Sequence, residues 1–87
     1  MSGIPVGEVN HYYNRIRVAV IDLVDTLQVG DQVQFVGRST DFRQEVKSMQ
    51  IEHQAITEAG EGQEIAVKVE RRVRNHDRVY KLSEDEQ

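Results

Sequence analysis

Cysteine is missing from all 87 residues, which removes disulfides, thiolate nucleophiles and cysteine-ligated zinc from the chemistry open to this chain. Proline occurs once, and with 38% hydrophobic and 30% charged residues the composition is that of a folded globular chain rather than a disordered one. Long apolar runs are absent too. The longest, Val18 to Ile21, is far too short to span a bilayer, so no membrane partner is expected. The opening residues, MSGIPVGEVNHYY, have no basic segment ahead of an apolar stretch, and the cytoplasm is the expected location. A chain of this length makes one domain, assigned here to residues 1–82, with SEDEQ at 83–87 as an acidic tail expected to fray.

The motifs of common enzymes are equally scarce. There is no G-x-x-x-x-G-K-[ST] loop, so no nucleotide is expected. Ser39, Ser48 and Ser83 lack a G-x-S-x-G elbow, and His11, His53 and His76 show no spacing that would bring ligands together. Glu52 and His53 stand side by side in EVKSMQIEHQ, but on a strand adjacent side chains point to opposite faces and cannot converge on one metal or substrate. No catalytic residue, cofactor or metal is assigned, and the chain is read as no enzyme.

What the sequence does contain is alternation with a period of two, broken by turn residues. Runs at Val6–Tyr13, Arg15–Leu23, Gln32–Phe35, Phe42–His53, Glu64–Val69 and Arg78–Leu82 read as six strands. Val6 and Val9 fall out of phase beside Gly7, as a bulge would produce, and the parity shift near Ser48 predicts a second bend. Gly30-Asp31 and Asn75-His76-Asp77 read as turns. A short helix over 50–59 competes with the strand reading, but it is brief and lacks a cap. The expected core is Val18, Val20, Val33, Phe35, Met49, Ile51, Ile65, Val67 and Val79. The fold class is all-β, a small closed six-stranded β-barrel.

Two stretches carry a family resemblance. LQVGDQVQFVG (27–37), and SMQIEHQAITEAGEGQEIAVKV (48–69) followed by RNHDRVYKL, resemble the second domain of elongation factor Tu-type translational GTPases, here standing alone. The resemblance covers roughly residues 5–82 and implies a barrel of the translation-factor domain 2 type that docks on RNA, the ribosome or a neighbouring domain. GTP hydrolysis does not carry over, because the phosphate loop is missing, and YYNRIRVA (12–19) replaces the family's usual Gly-rich first loop. The same barrel also resembles a C-terminal accessory domain of some bacterial peptidases, which implies an accessory role to a separate enzyme.

Charge distribution marks the expected site. The net charge of −4 argues against bulk electrostatic binding of nucleic acid, yet between Lys68 and Lys81 six basic residues face two acidic ones, so that window is +4 and the remainder −8. Read as a hairpin, this segment places Lys68, Arg72 and Arg74 on one strand face with Arg78 and Lys81 returning beside them, and Arg15 and Arg17 add to the expected RNA-binding set. Arginine's planar fork suits phosphate, and Tyr12, Tyr13 and Tyr80 offer stacking surfaces for bases. The competing reading is that the arginines pair with Glu70 and Asp77 and keep a sheet edge soluble, with a protein partner or self-association as the function.

Overall fold

β-Branched residues crowd the stretch VAVIDL and hold it extended as β2 (Val18–Leu23), which pairs antiparallel with the longer β1 (Ile4–Tyr13). The computed structural model describes residues 3–82; the acidic tail at 83–87 lies outside them. The remaining strands are β3 (Leu27–Gln28), β4 (Gln32–Val36), β5 (Asp41–Glu45), β6 (Met49–Ile51), β7 (Gln54–Ile56), β8 (Glu58–Ala59), β9 (Glu64–Lys68) and β10 (Arg78–Leu82). Eight of them form one antiparallel sheet in the order β5-β4-β10-β1-β2-β9-β6-β7, and β3 pairs with β8 in a small second sheet.

The all-β reading therefore holds, with no helix among the described residues and none long and apolar enough to cross a membrane. The closed six-stranded barrel does not. The ladder is open, ending at β5 on one side and β7 on the other. The expected single run 42–53 is broken into β5, a non-strand segment at 46–48, and β6. Register shifts between Pro5 and Gly7 and between Val9 and His11 bend β1, so that Val6 and Val9 both turn inward despite their odd spacing.

The inner face holds the core: Val6, Val9, Ala19, Ile21, Val33, Phe35, Val46, Met49, Ile65, Val67, Val73 and Val79 are all essentially inaccessible. Phe35 and Phe42 stack at 5.1 Å across the β4–β5 hairpin. Leu27 and Ala59, directly paired between β3 and β8, close one end.

Three turns share one construction. In Gln28–Asp31, Gly60–Gln63 and Arg74–Asp77 the last residue's N–H donates to the first residue's carbonyl, at 3.1, 3.2 and 3.1 Å. In each, the last residue's side chain also accepts from the first residue's N–H, at 2.9, 2.8 and 2.8 Å. The third residue has positive φ every time: Gly30 at 99°, Gly62 at 87° and His76 at 75°. A side-chain oxygen of Asp or Gln thus satisfies the backbone donor that the turn would otherwise leave unpaired.

Candidate functional site

β2 is apolar on both faces, and an antiparallel sheet buries only one. The structure turns Ala19, Ile21 and Leu23 into the core. Val18 and Val20, expected inside, face outward and are only partly covered, and Ile51 is likewise partly exposed. Their neighbours are set by the register: Tyr13, Val18 and Lys68 form one outer row, and His11, Val20, Ala66 and Gln50 the next. Ala66 is the smallest side chain in these rows, so the surface sinks there into a recess. Tyr13 and Ile16 rise beside it, 50% and 57% exposed.

Two recesses meet at this point. One is lined by Tyr13, Ile16, Val18, Gln50, Ala66 and Lys68, the other by Val20, Glu52, His53, Gln63 and Glu64, and both include His53. Glu52 and His53 are not strand residues on opposite faces. They are the two loop residues of the β6–β7 hairpin, between the paired Ile51 and Gln54, with φ of 50° and 69°. That is the type I′ geometry, which suits the twist of flanking strands but strains residues with a Cβ. The turn brings both side chains to the recess. Asparagine followed by glycine is the pair this turn favours, so the double substitution Glu52→Asn with His53→Gly is expected to stabilise the fold by about 1 kcal/mol, raising Tm by about 5 °C in a thermal melt.

The expected cationic hairpin does not form. β9 pairs with β2 and β6, whereas β10 pairs with β1 and β4, so the two strands are not neighbours. The connector between them leaves β9 at Val69, whose N–H donates to the Arg17 carbonyl, and reaches β1 at the Arg74–Asp77 turn, where Val9 N–H donates to the Asp77 carbonyl. Val69 and Val73 are buried along the way. Through ERRVR the expected strand alternation is lost: Arg71 is exposed although it shares the parity of buried Val69 and Val73, and the segment is not strand.

This topology sorts the predicted basic residues. Arg17 sits with Lys68 and Lys47 around one recess, and with Arg71, Arg72 and Tyr12 around the next. Arg15 belongs to the same β1–β2 turn. Lys81 lies elsewhere, donating to the Thr26 carbonyl at 3.1 Å, with Asp31 at 4.0 Å. Arg78 is registered against Glu8 and Val36, and Arg74 is in the turn pinned to Val9. Tyr80 pairs with Pro5, seven positions up β1 from Tyr12, roughly 23 Å along an extended strand, so the tyrosines do not form one stacking platform.

The pairing that would neutralise the cluster is not found. Glu70 reaches Lys47 at 4.0 Å, and Asp77 spends its carboxylate on the Arg74 N–H. Among the described residues, the side chains of Arg15, Arg17, Lys68, Arg71 and Arg72 enter no hydrogen bond or ion pair. Arg71, counted in the basic window but not assigned to the site, and Lys47, Ile16 and Ala66 also line these recesses. The apolar second face of RIRVAVIDL was the signal for Ile16, and nothing local marked Lys47. Among the described residues no group of three His, Asp or Glu side chains is placed to hold a metal ion.

No family model matches the chain. It is similar to an uncharacterised protease of Methanocaldococcus jannaschii, 40% identical over 82 residues, covering 93% of this chain and 20% of that protein. It is similar to a collagenase of Porphyromonas gingivalis, 30% identical over 84 residues, covering 94% of this chain and 23% of that one. The chain thus spans about a fifth of the length of these relatives. Its fold matches two crystal structures of the C-terminal domain of a U32 peptidase from Geobacillus thermoleovorans, each with a TM-score of 0.85. These are 21% and 22% identical and cover 88% and 90% of this chain, and 98% and 91% of theirs. These likenesses overturn the kinship with translation factors, the RNA-docking role that went with it, and the reading of the chain as no enzyme, since the relatives bear the names of proteases and collagenase. The fold of this chain is that of a U32 peptidase C-terminal domain.

Proposed function

We propose that the chain acts in peptide hydrolysis as the C-terminal domain of a U32-type peptidase. One observation carries the reading: nearly the whole chain aligns with a fifth of a protease, and the same length superposes on a domain solved by itself from such a peptidase. An apolar recess bordered by charged groups suits this work, since a polypeptide offers apolar side chains and ionised groups together.

The test is hydrolysis of fluorescent gelatin and of a fluorogenic peptide library by cells that make the chain, with residues 4–82 encoded or deleted. The deletion is expected to lower the rate at least severalfold, and supplying the chain in its original context restores it. Unchanged hydrolysis of both substrates overturns the reading.

A further inference from the structure

We infer that the outer face of β2 and β9 is a docking groove for an extended peptide bearing apolar side chains followed by acidic ones. The inference deepens the reading above, on which its link to hydrolysis rests, while the groove itself stands on geometry and charge.

The groove follows the strands and is polarised along its length. At one end Asp22 and Glu64 are directly paired, and the Asn10 amide donates to both, at 3.4 and 2.6 Å. In the middle lie Val20 and Ala66, paired across the strands, then Val18 opposite Lys68. Beyond Lys68 the recesses continue past Arg17 to Arg71 and Arg72. Glu64 to Lys68 spans five residues of strand, about 13 Å from first to last, the span of five residues of an extended peptide.

Charge complementarity selects the occupant. Four cations without a side-chain partner, Arg17, Lys68, Arg71 and Arg72, line the recesses at the far end beside one carboxylate, Glu70, which Lys47 already approaches. The chain is acidic overall, so this is a local excess rather than a general coating. The cations select a peptide whose acidic end meets Arg17, Arg71 and Arg72 and whose apolar side chains rest on Val18, Val20 and Ala66. Arginine's paired donors favour carboxylates in this position.

Fluorescence anisotropy on the full 87-residue chain tests the groove without reading hydrolysis. The probes are a labelled hexapeptide with two leucines ahead of two C-terminal glutamates, and a counterpart ending in two amidated lysines. The glutamate peptide is expected to bind at least tenfold more tightly, and more weakly as salt rises. Arg71→Glu with Arg72→Glu, on an exposed connector, is expected to weaken it at least tenfold. Ala66→Leu, which fills the recess and leaves the cations in place, should weaken it severalfold. Equal affinity for the two peptides, binding indifferent to both variants, or no binding at millimolar peptide overturns the inference. So does tighter binding of a single-stranded oligonucleotide through the same arginines. Binding of the glutamate peptide with unchanged gelatin hydrolysis in the deletion would sustain the groove and overturn only its link to proteolysis.

Discussion

Gly37→Ala is expected to lower stability by about 3 kcal/mol, and Tm by roughly 15 °C, in a thermal unfolding experiment followed by circular dichroism. Gly37 opens the loop between β4 and β5, where its N–H donates to the Thr40 carbonyl at 2.7 Å. The buried Asp77 carboxylate lies directly over it, and an added Cβ would stand 2.6 Å from Asp77 Cγ. A flexible side chain would swing away, but this one cannot without abandoning the Arg74 N–H at 2.8 Å. That bond holds the turn through which the connector returns to β1, so the added methyl group disturbs two parts of the fold at once. A double-mutant cycle isolates the cause: in an Asp77→Ala background the Gly37→Ala step should cost less than about 1 kcal/mol. An equal cost in both backgrounds would place the strain elsewhere.

Gln44→Leu is expected to cost about 2–3 kcal/mol and to speed amide exchange at Glu70. Gln44 is buried on β5, the last strand of the sheet, and its amide does the work of a missing strand neighbour. Its Nε2 donates to the Lys68 carbonyl at 3.0 Å and its Oε1 accepts from the Glu70 N–H at 2.8 Å. One side chain therefore ties the open end of the sheet to the continuation of β9 and satisfies two backbone groups. Leucine matches the volume and leaves both unpaired. Because Lys68 and Glu70 flank the basic recess, affinity for the glutamate peptide should fall with the stability. Gln44→Glu retains an acceptor for Glu70 but has no donor for Lys68, so its loss is expected to lie between wild type and Gln44→Leu.

The resemblance to translation factors rested on LQVGDQVQFVG and on the glycine-bearing acidic turn at Glu58–Gly62 between apolar strands, and the structure explains why such motifs mislead. A third residue with positive φ followed by a side-chain oxygen acceptor is what this turn construction requires; Gly30 and Gly62 supply the first, and in Asn75-His76-Asp77 His76 does so without glycine. The motif reports a turn, and any small antiparallel domain with that turn will show it. The Glu52-His53 loop failed in the opposite way. Neither residue is the asparagine or glycine that this turn favours, so nothing local announced a hairpin, and the pairing of Met49–Ile51 with Gln54–Ile56 imposed one.

Composition and alternation by themselves determined that this chain is all-β, and they located β4, β9 and β10 and their inward residues Val33, Phe35, Ile65, Val67 and Val79, because one polar face leaves only one way to bury the other. They could not choose a face for β2, where both are apolar and local sequence is neutral between them. Nor could they say which strands lie together, since pairing depends on contacts far apart in the chain. The tertiary structure decided both: it set β9 rather than β10 beside β2, turned Val18 and Val20 outward, and gathered Arg17, Lys68, Arg71 and Arg72 at one end of the face they form.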